Sequence, residues 1–349
     1  MNDDHSVKLK DGRKLQVSIL TYPIAGEDQI ALIQLWRSEW KKTDFDWLES
    51  MNGDYSNTLK IQSVMGKIGG QAVATATVCY PCVDAEVSVI EGVLTLRNCR
   101  GLGIASYLTN IAAELAFAAG CEVCYLGNGY SQGSVYLRCG FERLTGVAMR
   151  RAAPGGDDHE TRCFGPGQRT SIRQANWGDL PGVSCFIAQP LDCLVVDYPR
   201  GLLSAKYVGL SRCVSNFPQI WYNVNELGGS MCMLIGEKAH RVLGFATFTP
   251  EAGPARRHRA VIDVVVHDHY QDKAQQILDV LLGKAAQENI QVLRAYVAAS
   301  DTKKGDWFKR AGLRPVAELP EELRVNEEMI DVMVWERTLL NPKPTSHLS

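Results

Sequence analysis

The sequence predicts an α/β (α+β) protein with two domains, and two observations support this. The chain has 349 residues, which exceeds one ordinary compact core and suits two domains of about 150 to 200 residues each. Predicted strands and helices also follow one another in a similar order in both halves, although no exact sequence repeat is present. A stretch dense in glycine, proline and polar residues separates the halves. We expect domains at 1–153 and 169–340, a linker at 154–168 and a flexible tail at 341–349.

Hydrophobic periodicity predicts the elements of the first half. They are a strand at Leu15–Tyr22, a helix from Glu27 to about Glu49, strands at Thr58–Gly66, Gln71–Tyr80 and Glu86–Thr95, a helix at Gly101–Ala119, a strand at Glu122–Leu126, a helix near Gln132–Arg138 and a strand at Phe141–Arg150. Gly120 follows the second helix, at the position that glycine favours just past a helix C-terminus.

The second half repeats this alternation of strands and helices. Its elements are a strand at Thr170–Arg173, helical segments through about Val214, strands at Met231–Ile235, Leu243–Thr249 and Ala260–His267, a helix at Gln271–Glu288, a strand at Val292–Val297, a helix at Thr302–Arg310 and a strand at Met329–Glu336.

The composition argues against several classes of protein. Hydrophobic residues make up 46% of the chain and charged residues 22%, which is typical of a folded protein with a packed core. The formal net charge of −2 gives no basic surface for nucleic acid. The start of the chain is polar, and no run approaches the roughly 18 apolar residues of a membrane span. We expect a cytoplasmic protein that binds neither nucleic acid nor membrane.

The cysteines are expected to be reduced thiols, because there are 11 of them, an odd number, scattered along the chain. Two Cys-x-x-Cys pairs, Cys79/Cys82 and Cys121/Cys124, could be read as zinc ligands. The two pairs lie too far apart for a compact zinc ribbon and fall in strand-like runs, where positions i and i+3 point to opposite faces. We therefore expect no metal.

The segment Arg100–Ala105 (RGLGIA) lies between a predicted strand and the helix that follows it. Glycines at a helix start let backbone N–H groups approach an anion, and the helix dipole favours a phosphate or pyrophosphate there. Arg100 adds a charge-assisted donor. Two alternatives remain, a glycine-bearing helix start that serves only packing and a dinucleotide-binding loop. Ser106 stands where that loop has its third glycine.

A second motif, Tyr136–Phe141 (YLRCGF), follows one helix and one strand later. Together, the two segments resemble the Q/R-x-x-G-x-G/A and Y-x-x-x-G-F motifs of the GNAT superfamily of N-acetyltransferases. The resemblance covers about Leu15 to Arg150. It implies a GNAT-like domain, in which a mixed, mostly antiparallel twisted sheet is flanked by helices, and acetyl-coenzyme A as cosubstrate. The parallel order of elements suggests a second, GNAT-like domain in the other half. The segment 96–99 lacks the proline-containing turn that the family often has before the first motif.

The resemblance implies a role for each matching residue. The strand end would pair with the pantetheine arm, and a bulge there would free an N–H that polarises the thioester carbonyl. The glycine-rich segment would hold the pyrophosphate, Asn128 would meet the pantetheine or the acceptor, and Tyr136 would protonate the leaving thiolate. The expected cofactor-binding residues are Val93, Leu94, Thr95, Arg100, Gly101, Leu102, Gly103, Ile104, Ala105 and Asn128.

A general base is also needed, because an amine with a pKa near 10 is protonated at neutral pH and must lose a proton before it attacks. Glu91, between the apolar Ile90 and Gly92, is the best-placed carboxylate, and Glu86 is the second choice. A structural ion pair of Glu91, or a proton relay through water, is as good an explanation as a direct role of Glu91 as the base.

The segment after the first strand usually lines the acceptor site in this family. Here it carries acidic and aromatic residues that suit a cationic amine, although buried tryptophans beside a solvated acidic loop explain the same pattern. These residues are Trp36, Trp40, Asp44, Asp46, Trp47, Asp54 and Tyr55.

The second half lacks the residues of both motifs. Gln271–Gln276 replaces both glycines and adds Asp272, and Phe308 stands at the tyrosine position. Asp263, His267 and His269 could form a metal or acid–base cluster, but an ordinary strand end explains them better.

The sequence thus predicts an N-acetyltransferase that moves the acetyl group of acetyl-coenzyme A to a primary amine by direct attack in a ternary complex. The alternative is a non-catalytic acyl-coenzyme A sensor or interaction module. A small-molecule amine and a peptide or protein amine both remain open as acceptors, and so does a homodimer.

Overall fold

The computed structural model describes residues 5–40, 45–127, 133–144, 148–191, 195–197, 201–203, 217–325 and 327–339. The chain divides into two compact units. The first contains the chain through Arg162 and the segment Asn176–Ala188. The second contains Cys163–Ala175, the described part of Gln189–Leu210 and the described chain from Phe217 onward. Among the described residues, no helix combines the length and the apolar character that crossing a membrane requires.

The first unit is built on an eight-stranded sheet with the order β1-β2-β3-β4-β5-β6-β8-β7. Among its described strands only β5 and β6 pair in parallel, which confirms the mixed, mostly antiparallel sheet. Its strands are β1 (His5–Lys8), β2 (Lys14–Thr21), β3 (Leu59–Ile68), β4 (Gln71–Pro81), β5 (Val87–Thr95), β6 (Val123–Gly127), β7 (Glu142–Arg143) and β8 (Ala148–Ala152). Its helices are α1 (Glu27–Trp40), α2 (Phe45–Asn52), α3 (Ile104–Ala118), α4 (Gly133–Leu137), α5 (His159–Cys163, which ends at the boundary of the unit) and α6 (Leu180–Ile187).

Helices cover both faces of this sheet, which is why β4 is buried from Ala72 to Pro81. Helix α3 packs on β3, β4 and β5 with a face of buried small and branched residues, among them Leu108, Ala112 and Ala116. Their spacing of four residues places them on one side of the helix. Helix α1 packs on β4, and helix α6, in which every residue is buried, packs on β4, β5 and β6.

Several boundaries in the first unit differ from the sequence prediction. The predicted helix from Glu27 to about Glu49 is two helices, α1 and α2, on either side of residues outside the described ranges. In the sequence Thr43 and Asp44 precede Phe45, and both residue types favour starting a helix. Strand β1 was not predicted because its sequence, HSVK, shows little hydrophobic alternation. The predicted strand Phe141–Arg150 is β7 and β8, which pair with each other.

The second unit contains a seven-stranded sheet with the order β16-β17-β15-β14-β13-β12-β9. Within the residues that the structure describes, only β14 and β15 of this sheet pair in parallel. A separate hairpin is formed by β10 and β11. The strands are β9 (Ser171–Gln174), β10 (Val195–Asp197), β11 (Gly201–Leu203), β12 (Ser230–Ile235), β13 (Val242–Pro250), β14 (Arg259–Val266), β15 (Val292–Ala298), β16 (Arg314–Val325) and β17 (Glu328–Thr338). The helices are α7 (Phe217–Glu226), α8 (Ala274–Gln287) and α9 (Thr302–Arg310).

Two predictions in this half are corrected. The region expected to be helical through Val214 contains the β10–β11 hairpin, and its later part lies outside the described residues. Strand β16 was missed altogether. It lies at the edge of the sheet, most of its residues are exposed, and it contains two prolines. An exposed edge strand needs no apolar alternation and tolerates proline, so its sequence gives little signal.

Candidate functional site

A cleft of about 620 Å³ in the first unit lies between the end of β5 and the start of α3. Its walls also include the C-terminal end of α1 and residues of α4 or just after it. The lining residues are Lys10, Glu39, Trp40, Val93, Leu94, Thr95, Cys99, Arg100, Gly101, Gly103, Ile104, Ala105, Ser106, Val135 and Arg138. Of the predicted cofactor-binding residues, Leu102 packs against the hydrophobic core instead, and Asn128 lies outside the described residues.

Strands β5 and β6 separate beside this cleft. Their parallel register runs from Val87 opposite Val123 to Ile90 opposite Leu126, and β6 ends at Gly127. Strand β5 continues to Thr95, so within the described residues its last five residues extend beyond the pairing with β6. A strand edge of this kind presents backbone N–H and C=O groups that an extended ligand can use.

A β-bulge lies at the point where β5 leaves β6. On β4, Thr75 faces Leu94 and Thr77 faces Glu91, so Ala76 alone faces both Gly92 and Val93. The structure thus contains the bulge that the family resemblance implied. A bulge leaves its extra residue outside the hydrogen-bond ladder, which provides a backbone donor next to the cleft.

Glycine is required at position 92 for two reasons. Its φ of +61° lies in the left-handed region, which side chains disfavour. A Cβ there would also approach the ring of Trp47 to 2.9 Å, closer than real Cβ contacts allow. Trp47 therefore packs directly over the bulge.

The N-terminus of α3 opens onto the same cleft. Gly103 is its N-cap residue with φ of +85°, and no side chain in the described part of the chain caps this end of the helix. A Cβ added at Gly101 or Gly103 would meet no atom of the described residues within 4 Å, which leaves space beside both glycines. Uncapped N–H groups with open space in front of them, at the positive end of a helix dipole, favour an anion.

Charged side chains surround this helix start. The Arg100 guanidinium donates from Nε to the carbonyl of Thr95 (3.0 Å) and pairs with Glu39 (2.8 Å). Lys10 and Arg138 bring two more cations to the cleft. The sequence analysis missed Lys10, Glu39 and Arg138. Arg138 lies inside the YLRCGF motif and could have been found there. Lys10 and Glu39 come from distant parts of the chain, and the sequence around them contains no motif that predicts a place in the cleft.

Tyr136 lies on α4, with its ring edge toward Phe141 (centroids 6.4 Å apart). The residue is buried, and its neighbours Val135 and Arg138 line the cleft. Burial, with a smaller effect of Cys139, raises the pKa of the Tyr136 phenol to about 12 because the charged phenolate is poorly solvated there. At neutral pH the hydroxyl therefore carries its proton, as a general acid must.

Glu91 lies on the side of β5 that faces α1 and α2. It lines a small cavity of about 10 Å³ together with Tyr22, Trp36, Ser50, Trp47, Ile61 and Thr77. This volume accommodates about one water-sized group. Glu91 immediately precedes the bulge, and Val93 to Thr95 line the cleft, so the cavity and the cleft lie next to each other along β5.

A buried chain of hydroxyl groups runs beside Glu91. Tyr22 Oη lies 2.9 Å from Ser63 Oγ, which lies 2.7 Å from Thr77 Oγ1. Burial raises the pKa of Tyr22 well above its usual value, so its phenol stays neutral. The hydrogen bond with Ser63 lowers this pKa by less, and the nearby Glu91 raises it further. The three groups therefore form a neutral polar chain that ends at the Glu91 cavity.

The corresponding strands of the second unit lack this arrangement. The register between β13 and β14 is continuous from Gly244 opposite Val266 to Pro250 opposite Ala260, without a bulge. Helix α8 is preceded by Lys273 rather than by a glycine. Asp263 pairs with the buried Lys304 at 2.8 Å.

The two histidines considered with Asp263 interact with Phe164. The ring of His267 stacks on the ring of Phe164, and His269 Nδ1 lies 2.8 Å from the Phe164 carbonyl. Burial lowers the pKa of His267, which keeps its imidazole neutral. These contacts place each histidine in local packing at the end of β14, as the sequence analysis preferred.

About half of this chain can be aligned with solved structures of other proteins. A ribosomal-protein-alanine N-acetyltransferase from Brucella melitensis is 18% identical, with a TM-score of 0.40, and the alignment covers 48% of this chain and 99% of that one. A phosphinothricin acetyltransferase from Sinorhizobium meliloti in complex with acetyl-coenzyme A is 14% identical, with a TM-score of 0.41 and coverage of 49% of this chain and 88% of that one. An N-acetyltransferase from Staphylococcus aureus Mu50 is 18% identical, with a TM-score of 0.41 and coverage of 49% of this chain and 99% of that one. A comparison with curated protein sequences gives no match.

The family comparison locates the matching domain. Residues 30–141 match the model of the acetyltransferase (GNAT) family. This range contains both sequence motifs, the bulge in β5, the open start of α3 and the described part of α4. Residues 30–141 of this chain form a domain of the acetyltransferase (GNAT) family.

Proposed function

We propose that the first unit binds acetyl-coenzyme A and transfers its acetyl group to a primary amine, by direct attack within a ternary complex. The observation that carries this proposal is the position of the bulge. Gly92 and Val93 lie where β5 separates from β6, and Val93 lines a cleft that continues to the open N-terminus of α3. One extended ligand with a polyanionic end can use all three features.

The residues present fit acetyl-coenzyme A. The cleft volume of about 620 Å³ is in the range of small-molecule sites. Gly101 and Gly103 leave space for a pyrophosphate against the helix N-terminus, and Arg100, Lys10 and Arg138 balance its charge. The cofactor would supply an acetyl group activated as a thioester.

In this proposal Glu91 accepts the proton that the ammonium form of the acceptor loses. Its cavity adjoins the bulge, so an amine held there faces the wall of the cleft where Val93 lies. The bulge N–H donates to the thioester carbonyl oxygen and stabilises negative charge on it. Tyr136, protonated because burial raises its pKa, donates its proton to the departing sulfur.

The test uses the full chain with acetyl-coenzyme A and a panel of primary amines, following thiol release and the mass of the acetylated product. Intersecting initial-rate patterns are expected for a ternary complex. Glu91→Gln should reduce turnover about 100-fold or more. Glu86→Gln is the matched control, because Glu86 is the other candidate base, and it should leave turnover within about twofold. If Glu86→Gln loses turnover about 100-fold and Glu91→Gln keeps it within about twofold, the general base is Glu86.

The alternative, a non-catalytic acyl-coenzyme A sensor, predicts a different result in the same experiment. Such a module would bind acetyl-coenzyme A but release no thiol above the uncatalysed rate with any amine. Calorimetric binding in the absence of turnover would therefore favour the sensor, and product formation that depends on Glu91 would favour the enzyme.

A further inference from the structure

We infer that the acceptor is an unbranched primary alkylamine, with its amine on a CH2 group and no carboxylate beside it, and that the Glu91 cavity binds its ammonium group. This inference rests on the proposed function and adds the chemical class of the acceptor. It excludes α-amino acids, and the N-terminal α-amines of proteins, as preferred acceptors. Lysine side chains, polyamines and arylalkylamines remain within the class.

The size of the cavity gives the first argument. Its free volume of about 10 Å³ admits one group the size of a water molecule, which is also the size of an ammonium group. Trp36, Trp47 and Ile61 form its bulky walls. An amine on a CH2 group can enter with only its nitrogen, whereas an α-amine has a branched carbon directly behind it. The branch would have to fit between the tryptophan rings and the strand.

Charge gives the second argument. Glu91 is the only carboxylate among the described residues that line the cavity, and none of them is a lysine, arginine or histidine. An alkylammonium group would bring a positive charge next to the Glu91 carboxylate in this partly buried site, which is a favourable interaction. An α-amino acid would bring its own carboxylate next to Glu91, with no described cation in the lining to compensate it.

The aromatic walls give the third argument. Trp36 and Trp47 meet edge to face, with ring centroids 3.9 Å apart, and Tyr22 completes the aromatic lining. Trp36 is buried almost completely, and Trp47 packs over Gly92. Aromatic rings attract cations through their quadrupoles, and this attraction strengthens where water is excluded. The cavity therefore favours the charged form of the amine on arrival, before Glu91 takes the proton.

The first experiment compares acceptors that differ only by the α-carboxylate. The full chain with acetyl-coenzyme A is assayed with tyramine against tyrosine, phenethylamine against phenylalanine, and agmatine against arginine. We expect kcat/KM to be at least about 10-fold higher for the amine of each pair. Lysine should be acetylated on its ε-nitrogen, as read by tandem mass spectrometry. Equal rates within the pairs, or acetylation of lysine at the α-nitrogen, would overturn the inference while leaving the acetyltransferase function intact.

The second experiment measures binding without chemistry. Calorimetry in the presence of coenzyme A compares n-pentylammonium with 1-pentanol, which has the same chain without the charge. Wild type should prefer the ammonium ion at least about 10-fold, and Glu91→Gln should remove this preference. Trp47→Leu should weaken ammonium binding by a similar factor, and Trp47→Phe should restore most of it because the aromatic face returns.

The two experiments separate the inference from the function on which it rests. Selective ammonium binding without acetyl transfer to any acceptor would support the cavity assignment and contradict the proposed enzyme. Recognition of a cation by the aromatic walls would be contradicted if 1-pentanol bound with the same affinity as n-pentylammonium. It would also be contradicted if Trp47→Phe bound the ammonium ion as weakly as Trp47→Leu.

Discussion

Gly103 lies just before helix α3 and Gly120 shortly after it, with φ of +85° and +100°. A Cβ at either position would meet none of the described atoms within 4 Å. An alanine at either position carries a similar left-handed strain, so Gly103→Ala and Gly120→Ala should each lower the free energy of unfolding by about 1 kcal/mol. Only Gly103 lines the cleft. We therefore expect Gly103→Ala alone to weaken acetyl-coenzyme A binding, by about 10-fold, measured by calorimetry.

This pair of variants distinguishes a binding role from strain. If both variants weaken acetyl-coenzyme A binding to the same extent, the effect comes from the stability of α3, and the glycines before it do not shape a phosphate site. Urea unfolding of both variants checks that each has lost a similar free energy of unfolding, so that their affinities can be compared.

Tyr136→Phe removes the hydroxyl but keeps the buried ring. We expect kcat to fall about 100-fold, with affinity for acetyl-coenzyme A within twofold of wild type, because the proton is needed only when the thiolate leaves. The raised pKa of about 12 keeps the phenol protonated below that pH. The wild-type kcat should therefore show no alkaline loss from Tyr136 up to about pH 10. A decline centred near pH 10 that is absent in Tyr136→Phe would mean that the phenol titrates normally.

Strand β14 and helix α9 are joined in the second unit by the ion pair of Asp263 and Lys304, both almost fully buried. Removing one partner leaves an uncompensated charge, so Asp263→Leu or Lys304→Met alone should destabilise this unit by about 3 to 5 kcal/mol. The double variant replaces the pair with apolar groups of similar size and should recover most of that loss. Urea or thermal unfolding of the four proteins measures the coupling. Additive losses in the double variant would show that the two side chains do not act as a pair.

Helix α6 shows how an element can belong to a unit that its position in the sequence does not suggest. It follows the predicted linker, yet it packs on β4, β5 and β6 of the first unit. The Tyr125 hydroxyl on β6 lies 3.4 Å from Cys185 Sγ on α6. All eight residues of α6 are buried, which explains the apolar sequence LPGVSCFI.

For the whole chain we predict one acetyl-coenzyme A site, in the first unit. The second unit has a continuous register between β13 and β14, Lys273 before α8, and the buried Phe308 at the tyrosine position. Calorimetry on the full chain should give a stoichiometry near one, and Gly103→Ala should reduce the measured affinity of that site. Phe308→Tyr should create no second activity, because it restores neither the bulge nor the glycines. Two equivalent sites in the titration would contradict this assignment.

The sequence by itself determined the features whose signals are local. The RGLGIA segment marks the start of α3 because glycine conformation, helix capping and the helix dipole all act within a few residues. Most strands and the central helix were predicted because their burial imposes a fixed period on the sequence. The YLRCGF motif likewise identified Tyr136 and contains Arg138.

Only the tertiary structure decided which distant residues meet. Glu39 from α1 reaches Arg100, Lys10 reaches the cleft, and Tyr22, Trp36 and Trp47 enclose Glu91, although none of these contacts has a sequence period or motif. The bulge itself depends on the pairing of Thr75 and Thr77 with a strand that follows a turn. Strand pairing and helix packing are set by the summed burial of the whole unit, so a local pattern specifies each element but not its neighbours.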